Sequence, residues 1–297
     1  MERIGELTAF LTAVCWTFGA LFFERSVKQI GVMAVNFLKV VVAFIFMTIT
    51  VTLLRGMPIP FDATLNNWVF LSLSSLTGFV ITNTFLFNAY GTVGPRVAML
   101  FMALSPPITA GIAYVFLGES LGPRSLLGMS LVLTGIFMTV FGRSNSFEFA
   151  KISKEDRRGY IFALCASIGQ SIAMNLQKIG AADFDPVSGA QIRVFTAVIG
   201  FGLISLIYYR GKNIKNAFKN PLGLKYMFAG AFFSPFLGAI LVLYAIQRVS
   251  AGVVSTLVGL TPILILIPEL LFFKKKIKPL EIAGAIIAVV GTMLFFL

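Results

Sequence analysis

The sequence predicts an all-α membrane protein of ten transmembrane helices, arranged as two inverted five-helix repeats. Three observations predict this fold: the composition, the regular recurrence of apolar runs, and an internal repeat. Of the 297 residues, 58% are hydrophobic and 12% are charged, whereas soluble domains are roughly 25% charged. Apolar runs of about 20 residues, each long enough to cross a hydrocarbon core of ~30 Å, follow one another along the chain. They leave no room for a sizeable soluble domain.

Charged residues, glycines and prolines separate the apolar runs and set the helix boundaries. The predicted helices, numbered 1 to 10, span residues 5–23, 32–54, 68–90, 97–117, 125–142, 159–180, 187–209, 226–246, 253–273 and 280–297. Helix 1 is expected to be retained, because no small-residue cleavage site follows it at signal-peptide distance. The longest connector is the polar linker 143–158, which separates a first unit, 1–142, from a second unit, 159–297.

The two units are similar to one another in sequence. An offset of 156 residues superposes 93–141 on 249–297 without a gap, and an offset of 154 aligns the first two helices of each unit, where Lys39 falls on Arg193. Identical prolines and glycines, which hydrophobicity alone does not produce, include Pro106 with Pro262, Pro123 with Pro279, Gly128 with Gly284 and Gly135 with Gly291. Such self-similarity indicates a duplication. Because five is odd, the second unit crosses in the opposite sense, and inverted repeats are the architecture of alternating-access carriers.

The stretch "GPRVAMLFMALSPPITAGIAYVFLGESLGPRSLLGMSLVLTGI" at 94–136, with its Leu-Gly-Glu at 117–119, resembles EamA-type, ten-helix members of the drug/metabolite transporter superfamily. Trp16 and the basic residues early in helices 2 and 7 add to this resemblance, which covers essentially the whole chain. It implies transport of small organic solutes, often export of amino acids, other metabolites or drugs, through a central cavity between the repeats. Lys275 stands where the second copy would place the glutamate of Glu119, so no shared role is carried over to that pair.

The composition argues against an enzyme. The chain has no histidine, which removes the commonest general base and metal ligand. Cys15 and Cys165 both lie inside predicted spans and are interpreted as packing residues. We therefore expect no catalysis, no cofactor and no metal. The net charge of +12 sits in short loops, where topology and lipid headgroups explain it, so a nucleic-acid partner is not expected.

Two prolines inside helices are candidate kink or gating points. Pro106 and Pro262 each remove a helical hydrogen bond, which membrane helices tolerate where the freed groups face protein or a wet cavity. The alternative is a packing kink that touches no substrate, since proline is common in membrane helices.

Three ionisable residues inside predicted helices are functional candidates. Lys39 and Arg193 lie roughly 10 Å below opposite surfaces, where each could meet an anionic group or, alternatively, extend to lipid headgroups. Glu269, the carboxylate placed well inside a helix, is the candidate for ion coupling; the alternative is that it reaches the interface and nearby lysines.

The candidate substrate-binding residues are polar, basic or aromatic side chains inside apolar helices. They are Trp16, Asn36, Lys39, Asn83, Asn88, Ser105, Gln170, Asn175, Gln191, Arg193, Tyr244 and Thr261. An amide that faces lipid costs several kcal/mol, so these side chains should point inward, where they either line a pathway or bond helix to helix. Among them we expect Asn83, Gln170 and Gln191 to line the cavity.

The leading functional hypothesis is a secondary transporter for a small organic metabolite such as an amino acid or drug-like solute, working in export by alternating access. A lipid flippase or scramblase is the alternative. We expect a multi-pass protein of the cell membrane, monomeric or weakly dimeric, with membrane lipids as its other partners. Seventeen loop lysines and arginines lie on one side and five on the side of the N-terminus. The positive-inside rule therefore places both termini outside, whereas the family resemblance implies termini inside.

Overall fold

A computed structural model of the chain describes residues 2–142, 154–210, 212–273 and 278–296. In these ranges ten helices are long and apolar enough to cross a membrane, which confirms the predicted fold class. In chain order they are α1 (Glu2–Ile30), α2 (Val32–Arg55), α3 (Leu65–Ser75, Leu76–Ile81 and Thr82–Thr92), α4 (Gly94–Met102 and Ser105–Leu117), α5 (Pro123–Gly142), α6 (Lys154–Ala181), α7 (Pro186–Tyr209), α8 (Pro221–Ala231, Phe232–Gly238 and Ala239–Ile246), α9 (Ala251–Val258, Thr261–Leu264 and Leu266–Phe273) and α10 (Pro279–Phe296).

Local sequence explains where several helices begin. Thr64 and Asn67 form a capping box at the start of α3. The Asp185 side chain accepts from the Ser188 amide at the start of α7, where Pro186 occupies the first turn, the position at which a missing amide hydrogen costs nothing. A short helix, Lys212–Ala217, precedes α8. Most of the predicted linker 143–158 lies outside the described residues.

Four helices are interrupted, and the interruptions repeat between the two halves. The middle segments of α3 and α8 are π-helical and begin at Leu76 and Phe232, which are 156 residues apart. The second segments of α4 and α9 begin at Ser105 and Thr261, again 156 residues apart. The offset found in the sequence is thus also the offset of the backbone irregularities.

The helix contacts are related by an approximate two-fold symmetry that interchanges the two repeats. Helix α5 packs along α10, and α2 along α7, so each pair joins a helix to its own counterpart. The contacts of α1 with α8 are mirrored by those of α6 with α3. Each helix and its equivalent are five membrane crossings apart in the chain. Because five is odd, the two run in opposite directions, which agrees with two repeats of opposite orientation.

Glycines allow the backbones of α5 and α10 to approach closely. A Cβ built on Gly135 would lie 2.4 Å from the carbonyl oxygen of Gly284, and one on Gly128 would lie 2.9 Å from that of Gly291. Gly284 and Gly291 stand 156 residues after Gly128 and Gly135, so the two contacts are equivalent under the repeat offset. Close backbone approach through small residues is how membrane helices gain packing energy where lipid provides no hydrophobic drive.

Large apolar side chains cover the outside of the bundle. Leu53 is 81% exposed, Ile207 69% and Ile286 59%, whereas the fully buried positions include many alanines. A surface of this kind is suited to lipid, which solvates apolar side chains as well as a protein core does.

Candidate binding cavity

A cavity of about 360 Å³ lies between the two repeats. Residues of α1 to α5 from the first repeat and of α6 to α9 from the second repeat line it. The volume falls in the range of small-molecule sites, about 300–1,000 Å³. Most of the wall is apolar, with methionines, Trp16, Phe79 and Tyr90 among the lining residues.

The irregular backbone of the four interrupted helices borders this cavity. Gly78 and Phe79 of the π segment in α3 line it, as do Ser234 and Pro235 of the π segment in α8. π-helical turns occur often at functional sites, and non-helical backbone at membrane depth is tolerated where it lines a cavity. The Asn83 side chain donates to the Phe79 carbonyl at 2.6 Å, so the amide satisfies an acceptor within the π segment.

Both candidate kink prolines line the cavity. Pro106 and Pro262 follow directly on the breaks in α4 and α9 and stand in the first turn of the next segment. In that position proline lacks only an amide hydrogen that has no helical partner anyway. The breaks therefore accommodate the prolines with little loss of hydrogen bonding.

Hydroxyl groups join the two repeats beside these breaks. The Ser105 and Ser171 side chains are 3.1 Å apart, and Ser171 also donates to the Ser105 carbonyl at 3.0 Å. The Thr109 hydroxyl donates to the Ser255 hydroxyl at 3.4 Å. The Thr261 hydroxyl donates to the Val258 carbonyl at 2.8 Å, across the break in α9.

Lys39 and Arg193 are the charged side chains among the lining residues that the structure describes. Arg193 is 7% exposed, its guanidinium lies 5.1 Å from the centre of the Phe79 ring, and its Nε has no hydrogen-bond partner. The Lys39 ammonium lies 5.1 Å from the centre of the Phe23 ring. Ring faces attract cations, so aromatic residues hold both cations in place of carboxylates.

The structure brings together seven of the twelve candidate binding residues. Trp16, Lys39, Asn83, Ser105, Gln170, Arg193 and Thr261 line the cavity. Asn36, Asn88, Asn175, Gln191 and Tyr244 lie outside its lining.

Helix geometry explains why Gln191 lies elsewhere. Gln191 precedes Arg193 by two residues, which turns it about 200° away, and it donates to the Thr48 hydroxyl at 3.0 Å and the Pro58 carbonyl at 2.7 Å. The expectation that Gln191 lines the cavity is therefore corrected: it bonds α7 to α2 and the following loop.

The remaining four also lie away from the cavity, and one of them, Asn88, does not point inward as expected. Asn175 donates to the Thr109 carbonyl at 3.2 Å and joins α6 to α4. Asn88 is exposed and donates to the Thr84 carbonyl of its own helix. Tyr244 lies under the guanidinium of Arg248 at 3.3 Å, and Asn36 is buried in α2. Glu269 belongs to α9, but its side chain lies outside what the structure describes, as does Lys275.

Several lining residues were not among the candidates. Gln177 lines the cavity, and its Nε2 has no hydrogen-bond partner; it lies seven residues after Gln170, a spacing that returns to the same helix face. That spacing was the available signal. Ser234, Ser255 and Tyr90 also line the cavity, and for them single polar residues in apolar helices carried no distinguishing pattern.

Polar contacts close the bundle at the N-terminal face, the end that holds the start of α1. Glu119, which follows α4, forms an ion pair with Lys178 near the end of α6. Its other oxygen accepts from the Ala251 amide at the start of α9 at 2.8 Å, and Lys178 donates to the Val249 carbonyl at 2.8 Å. We call Glu119, Lys178, Val249 and Ala251 the closing cluster. It ties both repeats together at this face.

A second polar cluster lies on the same face. Arg55 at the end of α2 pairs with Asp62 and donates to the Ser188 hydroxyl at 2.7 Å. The hydrogen bond from Arg55 lowers the pKa of the Asp62 carboxyl below its ordinary value. The cavity spans most of the depth between the two faces. Gln177 lines it four residues from the end of α6, beside Lys178 of the closing cluster, and Tyr90 lines it two residues from the end of α3 at the opposite face.

Comparison with known proteins adds the family. Residues 3–141 and 157–297 each match a model described as the EamA-like transporter family. A solved structure, titled "Crystal structure of protein", aligns with 99% of this chain and 96% of its own, with a TM-score of 0.77 and 18% identity. At that identity the likeness shows the fold alone. No curated protein matches the chain.

Proposed function

Because the chain belongs to the EamA-like transporter family, we propose that this integral, multi-pass membrane protein moves a small organic metabolite by alternating access. The observation that carries the proposal is a cavity of about 360 Å³ between the repeats, closed at one face by the closing cluster and extending toward the other. A binding site between two inverted halves is what such a mechanism needs.

The repeated interruptions support the alternation. The π segments of α3 and α8 and the breaks in α4 and α9 occupy equivalent positions in the two repeats. Each half therefore has the same backbone means of bending beside the cavity. If the halves exchange conformations, the contacts at the N-terminal face separate, the cavity opens there and the opposite face closes.

The charge distribution supports a direction. Most loop lysines and arginines lie at the opposite face, which the positive-inside rule places in the cytoplasm. The cavity would then load from the cytoplasm of a cell membrane and release outside, as export requires. The chain carries no His, and among the lining residues described no carboxylate is present, so this cavity supplies little for catalysis.

Counterflow in proteoliposomes tests the proposal with a matched pair of variants. Met102 lines the cavity, whereas Met293 on α10 is 57% exposed toward lipid. With radiolabelled amino acids and aromatic carboxylates as solutes, we expect Met102→Trp to reduce counterflow at least tenfold and Met293→Trp to leave it within twofold. Equal effects of the two substitutions, or translocation of a fluorescent phospholipid without any solute counterflow, would overturn the proposal and favour a lipid flippase.

A further inference from the structure

Among the residues described, the cavity lining carries positive charge that no lining carboxylate balances. Lys39 and Arg193 line it, and the lining residues that the structure describes include no aspartate or glutamate. Neither cation has a carboxylate within ion-pair distance among the described residues. A buried cation is costly in a membrane protein and is normally paired, so the empty partner position indicates a negative group that arrives from outside.

Arg193 is a buried cation with an unsatisfied hydrogen-bond donor. It is 7% exposed and its Nε has no hydrogen-bond partner, whereas nearly all buried polar groups have one. The Phe79 ring holds one face of the guanidinium. A Cβ on Gly78 would lie 2.9 Å from Cβ of Ala173, 3.9 Å from Oε1 of Gln170 and 4.0 Å from Nη2 of Arg193, so this glycine lets α3 pack closely on α6 beside the two polar groups.

The two cations lie at different depths. Arg193 is seven residues into α7 from the N-terminal face, and Lys39 is seven residues into α2 from the opposite face, about 10 Å from each end at 1.5 Å per residue. Lys39 is thus near the end toward which the cavity extends, and Arg193 is near the closed end. Like charges along a cleft with apolar walls attract ions of opposite sign.

We propose that the cavity selects small organic anions: a carboxylate pairs with the Arg193 guanidinium, and an apolar or aromatic body packs against Trp16 and Phe79. This rests on the proposed function and names its substrate class. The guanidinium matches a carboxylate with two parallel hydrogen bonds. An ammonium group on the substrate would meet Lys39 and Arg193, with no carboxylate among the described lining residues to receive it.

Binding of four probes with one body and different head groups tests the proposal. The probes are 3-phenylpropionate, phenylalanine, 3-phenylpropanol and 3-phenylpropylamine, and binding to the purified full chain in detergent is measured by scintillation proximity. We expect 3-phenylpropionate to bind at least tenfold tighter than the alcohol and the amine. Arg193→Gln should abolish that preference and Arg193→Lys should retain part of it. Arg248→Gln, which changes a cation outside the cavity lining, should leave it unchanged.

The wild-type comparison needs no variant, so the proposal is falsifiable even if Arg193→Gln fails to fold; Lys39→Gln then serves as the second variant, with an expected threefold or greater loss of anion affinity. Equal or tighter binding of the alcohol or amine, or no binding of any probe, overturns the anion preference. Counterflow of a neutral or cationic probe that Met102→Trp blocks would overturn this inference and leave the transporter standing. Tight anion binding without counterflow would support the anion preference and overturn the proposed transport.

Discussion

Separating Glu119 from Lys178 should weaken the fold by an amount that a double-mutant cycle can isolate. Their side chains retain 16% and 24% exposure respectively, so the pair is neither buried nor freely solvated. Exposed ion pairs contribute about 0–1 kcal/mol, and breaking a fully buried pair costs about 3–5 kcal/mol. Most of each side chain is covered, so we expect a coupling energy of about 2 kcal/mol, between those limits.

The variants are Glu119→Gln, Lys178→Met and the double substitution. Glutamine keeps an oxygen that can accept from the Ala251 amide, so that substitution removes the charge and leaves the helix cap. Methionine keeps the length of the lysine side chain without its ammonium. The free energy of unfolding is measured by circular dichroism during SDS titration in mixed micelles, and the coupling energy is the departure from additivity.

The control pair is Glu24 and Lys28, one helical turn apart in α1 with side chains 56% and 68% exposed. The same cycle with Glu24→Gln and Lys28→Met should give a coupling energy below about 0.5 kcal/mol. A Glu119–Lys178 coupling no larger than that of the control would refute the reasoning, because the closing cluster would then contribute nothing beyond a solvated contact.

Three further outcomes are expected. Gly135→Ala should lower the free energy of unfolding by about 1–3 kcal/mol through overpacking, because its Cβ would meet backbone of α10 at 2.4 Å, whereas Gly111→Ala, with nothing within 4 Å, should be nearly neutral; similar melting temperatures for the two variants would contradict the packing of α5 on α10. In a Cys15→Ala/Cys165→Ala background, Asn83→Cys and Gln170→Cys should react with a hydrophilic thiol reagent and Gln191→Cys should not; labelling of all three at one rate would contradict the lining. Alkaline phosphatase fused after Leu297 should be active, because the positive-inside rule places both termini outside; a silent phosphatase with a fluorescent cytoplasmic fusion would reverse the orientation.

The sequence predicted the helices well because the length of an apolar run and the charged residues that end it are local properties of the sequence. It also located the positions of Pro106 and Pro262 and the two deep cations, which stand out chemically in any apolar helix. It did not resolve which amides line the cavity, since Gln191 and Arg193 lie on opposite faces of one helix that is packed on both. An amide side chain that points into the bundle can line the cavity or bond to a neighbouring helix. Which of the two it does depends on residues that are distant in sequence.

The π segments were missed for a related reason. Pro235 inside α8 is a visible interruption, but its counterpart at the 156-residue offset is Phe79, which has a full set of backbone hydrogen-bonding groups. The two repeats thus keep one backbone irregularity with different side chains. No composition rule links phenylalanine to a π turn, so only the internal repeat could have transferred the expectation from one half to the other.

The contrast between shared backbone and different side chains bears on how the proposed carrier would work. Exchange of conformations requires equivalent bending points, and the interruptions of α3, α8, α4 and α9 provide them. The lining side chains differ at equivalent positions of the two repeats: Trp16 is equivalent to Gln170, and Gly78 to Ser234. Such a difference suits a substrate whose two ends are chemically different. At Lys39 and Arg193 the equivalent residues are both cations. If the halves exchange, Lys39 takes the closed end and Arg193 the open one, so an anion would have a cation beside it when it enters and again when it leaves.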